Sequence, residues 1–200
     1  MIMEPAEVEV HPVTADRWDE LVEFFERKGP RGGIPMPGSC WCRAWHEESD
    51  QPRPVRKAAM KADVDASRTV GLLGYVDGPA IGWVAVSPRS DQPRLERSRH
   101  YGPEPGDADV FAITCFYVQL EARGSGIASA LLDAAIDYAR RLGASAVDVF
   151  PKAGDAPHIS SSRRAEENYH WMGRRSWYDA RGFTVIRDPG KRLVMRLPLR

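Results

Sequence analysis

The spacing of apolar residues changes several times along the chain, and each change marks an element. Val8–Val13 alternates apolar with polar positions, which predicts a first strand. Thr14 follows as a helix cap, and Trp18, Leu21, Val22 and Phe25 recur at three- and four-residue intervals, predicting an amphipathic helix that stops at Gly29-Pro30. Arg31–Ser39 is rich in glycine and proline and reads as a loop. Val55–Val64 predicts a second helix, with Pro54 at its first position and Ala58, Ala59 and Ala62 on one side. Leu72–Val76 and Ala80–Val86 are β-rich runs joined around Asp77-Gly78, a hairpin pattern. Pro88–Asp109 is a long polar connection. Val110–Val118 is almost continuously apolar, as in a strand covered on both faces.

The clearest helix is Ile127–Leu142, with Ala128, Leu132, Ala135, Ala139 and Leu142 as its stripe and Gly143 where a C-terminal cap belongs. Ala146–Phe150 predicts another strand. Pro151–Met172 is a second polar connection, and Gly173–Ala180 a short helix. Phe183–Ile186 and Arg192–Leu197 close the chain as a strand pair around Asp188-Pro189-Gly190. This order predicts an α/β fold, a mixed sheet covered by helices.

Bulk properties narrow the function. The chain has 200 residues, which fits one domain, and 42% are hydrophobic, enough for a core. The 28 basic and 28 acidic residues cancel, so nothing points to a nucleic-acid or membrane partner. No apolar run reaches the roughly 18 residues of a membrane span. Met1–Val10 carries Glu4, Glu7 and Glu9 and does not read as a secretory signal. Three cysteines, Cys40, Cys42 and Cys115, argue against a disulfide framework and for a reducing, cytoplasmic setting.

The chemistry concentrates at Phe116-Tyr117-Val118 and Arg123-Gly124-Ser125-Gly126-Ile127-Ala128, between the apolar strand and the long helix. Glycines there let backbone approach a ligand closely. The first amides of a helix have no internal acceptors, and with the helix dipole they favour an anion. Arg123 adds a fixed positive charge. A diphosphate suits such a place, although a plain tight turn with a surface arginine has the same sequence. The dinucleotide fingerprint and the P-loop are both excluded by their spacings.

Arg123, Gly126 and Ala128 meet the pattern Arg-x-x-Gly-x-Ala, which resembles the coenzyme A loop of the GNAT family of N-acetyltransferases. Tyr178-Asp179-Ala180-Arg181-Gly182-Phe183 is similar to the family's C-terminal Tyr-x-x-x-Gly-Phe, and the hairpin with Gly78 and Gly82-Trp83 resembles its second and third strands. The resemblance spans Leu72 to Leu197. It implies a twisted, largely antiparallel mixed sheet flanked by helices, with a splayed parallel pair at the coenzyme. It divides one domain, 1–200, into an acceptor-side region, 1–70, and a coenzyme-binding core, 71–200. It implies acetyl-CoA as co-substrate, no metal, and direct transfer to a primary amine on a small molecule or a protein. Backbone of Gly124–Ala128 would hold the diphosphate, and backbone near Phe116–Val118 the pantetheine. Tyr178 would protonate the departing thiolate, which suits a hydroxyl that stays protonated at neutral pH. Where many members have Asn and Ala ahead of the tyrosine, this chain has Trp171 and Arg174.

Other positions have open readings. Asp109, Glu47, Glu48 and His100 are candidate bases or plain surface groups. Cys115 is either a small buried side chain or an acyl-accepting thiol, the former fitting its apolar strand. Cys40-Trp41-Cys42 resembles a segment in a branch of the same family, to which no role attaches. Trp41 and Trp45 form either a substrate-pocket wall or an aromatic plug under the first helices. The mixed charges of Pro88–Asp109 read as a solvated loop, or as steering for an anionic ligand. Two rival functions stand beside the enzyme: a silent coenzyme A-binding regulator, and a metal-dependent module on Cys40, Cys42 and His46. The sequence leaves a homodimer open.

Overall fold

The computed structural model describes residues 8–29, 33–34, 36–153 and 170–200, leaving out the side chains of 36 and 37. Seven strands form one sheet: β1 (Glu9–Pro12), β2 (Leu72–Tyr75), β3 (Ala80–Pro88), β4 (Val110–Val118), β5 (Ala146–Val149), β6 (Thr184–Arg187) and β7 (Val194–Pro198). Their order is β1-β2-β3-β4-β5-β7-β6. Every neighbouring pair is antiparallel except β4 and β5, which are parallel. The helices are α1 (Trp18–Glu26), α2 (Met36–Cys40), α3 (Arg53–Asp65), α4 (Pro93–Glu96), α5 (Ile127–Arg141) and α6 (Arg175–Asp179). The expected α/β, largely antiparallel mixed sheet is therefore present.

Most elements lie within a few residues of their sequence-predicted bounds. The exceptions come from tertiary contacts overriding local propensity. Part of Arg31–Ser39, read as loop, forms α2. Arg53 Nε donates to the Gly38 carbonyl at 2.9 Å and Arg56 to the Ser39 carbonyl at 2.6 Å, so α3 holds this turn in place. Thr14 makes no side-chain cap bond, because a 3₁₀ turn at Ala15–Arg17 precedes α1. Much of the Pro151–Met172 connection lies outside the described residues.

Alternation along the strands builds a core on each face of the sheet. Val84 and Val86 of β3 pack with Leu131, Leu132, Ala135 and Ile136 of α5 on one face. Trp83 and Ala85 face the other way, onto Leu21, Phe24 and Phe25 of α1 and Met60 and Val64 of α3. On β4, Ala85 opposes Cys115 while Val86 opposes Ile113, leaving Thr114 as a bulge. The extra residue flips the alternation. Phe111 and Ile113 share the α5 face with Phe116 and Val118, whereas Cys115 turns to the α1 face.

Some of the charges of Pro88–Asp109, read as solvated, are pinned to the sheet. Arg89 is 3% exposed and donates to Asp148 on β5 at 2.5 Å and to the Tyr101 carbonyl at 2.6 Å. Arg196 on β7 bridges Asp148 and Asp107 at 2.6 Å each. Burial alone would raise the Asp107 carboxyl, but the Arg196 hydrogen bonds outweigh it and hold it below its ordinary value. Arg97 pairs with Glu47 at 2.7 Å. Arg89 and Asp107 thus tie the connection to β5 and β7, while Arg94, Arg97, Arg99, His100 and Asp109 stay exposed, as a solvated loop implies.

His46 supplies a pH-dependent contribution. Burial first, and then the neighbouring Arg43 charge, push its pKa down to about 4. An unfolded histidine titrates near about 6.5. Between these values the unfolded chain holds a proton that the folded chain rejects. The stabilisation is complete above the unfolded value and is lost as pH falls toward the folded one, by about 3 kcal/mol at the limit. In urea titrations across this window, His46→Gln should show a flatter loss of stability than wild type. Equal slopes would remove His46 from the account.

Candidate active site

The mouth of α5 is built by glycine. Gly124 and Gly126 have φ of +83° and +86°, a left-handed conformation that suits glycine, and nothing lies within 4 Å of where a Cβ would stand on either. Ser129 and Ala130 donate to the Gly126 carbonyl at 2.9 and 3.0 Å, so the amides of Ile127 and Ala128 precede the first intrahelical bonds. Gly124, Gly126, Ile127, Ala128 and Arg123 line a cavity of about 550 Å³. That size is typical of a small-molecule or coenzyme cleft. Ser125 is set apart: its hydroxyl donates to the Ala122 carbonyl at 2.6 Å, and it is not a lining residue. Arg123 stands over the Tyr117 ring, with its Nε donating to the Val118 carbonyl at 2.8 Å. Its charge is held in place by the strand it follows.

Phe116, Tyr117 and Val118 line the same cavity because β5 ends at Val149, paired with Ile113. The second half of β4 therefore continues without its parallel neighbour. Beside it, Phe116 N–H donates to the Trp171 carbonyl at 2.7 Å. One amide that the resemblance implies for the pantetheine is thus engaged by the 170–174 segment.

Tyr178 lies beside the cavity and is not one of its lining residues. It is fully buried, and its hydroxyl donates to the Met172 carbonyl at 2.7 Å. Burial pushes its pKa above the ordinary phenol value, so the hydroxyl stays protonated at neutral pH. Its ring meets Phe183 edge-on, which accounts for the spacing of tyrosine and phenylalanine in the motif. Gly173 has no Cβ to spare: one there would stand 2.1 Å from the Tyr178 oxygen.

The far side of the cavity is formed by Cys40, Cys42, Ala44 and Trp45, by Thr114 and Cys115 of β4, and by His170, Trp171, Arg174 and Trp177. The two readings of the tryptophans divide. Trp41 is fully buried, stacked on Trp18 and edge-on to Phe25, so it is the plug. Trp45 lines the cavity and touches Tyr101 and Phe150. None of the candidate bases Asp109, Glu47, Glu48 and His100 lines the cavity, and Glu47 and Glu48 are paired with Arg97 and Arg43. Cys40, Cys42 and His46 are not brought together as a metal group: among the described residues no three His, Cys, Asp or Glu side chains are so arranged. Sequence reasoning missed His170, Thr114 and Trp177, which carry no motif and join the site only through the fold.

Comparison with known proteins agrees with this fold. Residues 35–160 match the model of the acetyltransferase (GNAT) family. No curated protein matches the chain. Among solved structures, an N-acetyltransferase from Staphylococcus aureus Mu50 superposes with TM-score 0.53 at 13% identity, covering 98% of this chain and all of that one. A ribosomal-protein-alanine N-acetyltransferase from Brucella melitensis gives 0.53 at 15%, covering 95% and 99%. The GNAT family N-acetyltransferase YhbS of Escherichia coli, solved in complex with CoA, gives 0.52 at 16%, covering 100% and 86%. At these identities the structures show a shared fold, and the family model matches more than half of the sequence. The chain belongs to the GNAT acetyltransferase family and is an acyl-coenzyme A-dependent N-acetyltransferase.

Proposed function

We propose that this enzyme moves the acetyl group of acetyl-CoA onto a primary amine by direct attack in a ternary complex. The observation that carries this reading is the single cavity joining the glycine-built mouth of α5 to a wall of thiols, aromatics and an imidazole. Amides of Gly124–Ala128, with Arg123, would grip the diphosphate. The pantetheine would run along Phe116–Val118, taking Phe116 N–H from the Trp171 carbonyl. The amine would enter from the side of Trp45, Cys42 and Cys115. His170 is a buried imidazole on that wall, and it is the group proposed to accept the amine's proton. The amine nitrogen then bonds to the thioester carbon and the carbon–sulfur bond breaks.

Tyr178 is the proposed donor to the departing thiolate. Its hydroxyl is held by Met172, next in sequence to the residue whose carbonyl the pantetheine would displace. One shift of the 170–172 segment would open the amide and release the phenol together. Tyr178→Phe should therefore lower kcat by about a hundredfold, the low end for general acids because a thiolate leaves readily. The acetyl-CoA dissociation constant should stay within a few-fold. An unchanged kcat would reduce Tyr178 to a packing role. A cytoplasmic setting fits a chain with only three cysteines, an odd and small number. Among the described residues, no helix is long and apolar enough to cross a membrane.

Two measurements test the whole reading: titration calorimetry with acetyl-CoA, and thioester consumption across a panel of small-molecule and peptide amines. Heat on binding and turnover with at least one amine support it. Absence of heat would remove the coenzyme site, and binding without turnover on any amine would leave a regulator.

A further inference from the structure

All three cysteines of the chain line the same cavity, though they come from two distant stretches of sequence. Cys42 Sγ donates to Cys115 Sγ at 3.4 Å, across 73 residues of chain. Trp83 Nε1 donates to Cys42 Sγ at 3.1 Å, and Cys42 N–H donates to Cys40 Sγ at 3.3 Å. The approach is built by two irregularities. The Thr114 bulge turns Cys115 away from the α5 face. Trp41 and Cys42 both have left-handed backbone, φ of +50° and +45°, which reverses the chain at the end of α2.

We infer that Cys42 and Cys115 are a modification site, forming a reversible disulfide on exposure to a hydroperoxide and tying the two walls of the cavity together. The sulfurs are in van der Waals contact, and a bond of about 2.05 Å needs a closure of little more than an ångström. One thiolate attacks the outer oxygen of the hydroperoxide: a sulfur–oxygen bond forms, the oxygen–oxygen bond breaks and the alcohol leaves. The second sulfur attacks the first, the sulfur–sulfur bond forms, and the hydroxyl departs as water with the remaining proton. Two thiols give up two electrons and two protons, and the hydroperoxide is reduced to alcohol and water. The partner thiol Cys115 and burial hold Cys42 above its ordinary pKa, so the reaction should quicken as pH rises. Trp83 N–H is placed to steady the charge that develops on its sulfur. Only the effect on catalysis rests on the acetyl-transfer reading, because the acceptor side is where the bond would form.

Hydrogen peroxide on the full chain tests this by intact mass and by mapping of linked peptides. The expected product is an intramolecular species lighter by two hydrogens, reversed by dithiothreitol, with the Cys115 peptide joined to that of Cys42. It should form in wild type and in Cys40→Ala, and be absent from Cys42→Ala and Cys115→Ala. A link that survives in Cys115→Ala, or oxygen additions without any link, would overturn the pairing. The peptide map of wild type stands even if a variant folds poorly. The oxidised protein should transfer acetyl groups at least tenfold more slowly than the reduced, and equal rates would overturn the blocking role. Lack of coenzyme heat in the reduced protein would count against acetyl transfer alone and leave the mass result intact.

Discussion

Replacing Gly126 by Asp is expected to weaken acetyl-CoA binding about a hundredfold, read as the dissociation constant by calorimetry. The carboxylate would stand at the mouth of α5, where the left-handed glycine now leaves open space. A negative charge there opposes the diphosphate at close range and competes for the same amides. Gly126→Asn is the matched control, because asparagine has the same shape and shares aspartate's tolerance of left-handed backbone. It should bind within about tenfold of wild type, and added salt should narrow the gap between the two variants. If Asp and Asn behave alike, strain and not charge governs the loop, and the anion site is elsewhere.

The second large effect concerns stability. Asp148→Asn should cost about 3–5 kcal/mol in urea unfolding, the usual result of breaking a buried ion pair from one side. Asp148 is completely buried and receives Arg89 and Arg196 together. Asparagine keeps the volume and removes the charge, leaving Arg89, at 3% exposure, with Glu96 at 3.2 Å as its remaining carboxylate. Against a total of about 5–15 kcal/mol for a domain, that loss is large. The same bonds anchor the Pro88–Asp109 connection to β5 and β7, so limited proteolysis in that connection should accelerate in the variant. A cost below about 1 kcal/mol would mean that the ion pair does no more than an exposed one.

What the sequence disclosed depended on range. β4 is found at Val110–Val118 as its apolar run implies, and α5 starts at Ile127 as its stripe implies. The glycine-built mouth of α5 was legible because glycine, helix start and arginine are neighbours in the chain. The contact between Cys42 and Cys115 was not, since it depends on a one-residue bulge that an apolar run does not betray. Burial of Arg89 was hidden for a related reason: a charged residue in a polar stretch looks solvated until the fold brings it to Asp148, a lone carboxylate in the apolar run of β5. Trp41 and Trp45, four residues apart, went to a core and a cavity wall, a division that composition alone does not draw.

Gly74 and Gly82 face each other across β2 and β3, beneath the first two turns of α5. A Cβ on Gly82 would stand 2.8 Å from Ile127 Cγ2 and 2.9 Å from Leu131 Cδ1, and one on Gly74 3.2 Å from Leu131 Cδ2. The helix therefore rests on bare main chain. In the proposed reading, its height above the sheet would set how far the phosphate anchor stands from β4, and so how much pantetheine is left to reach the acyl carbon. On that reading two absent methyl groups would calibrate the reach of the cofactor arm, and enlarging either would mis-set the length while leaving every side chain of the site unaltered.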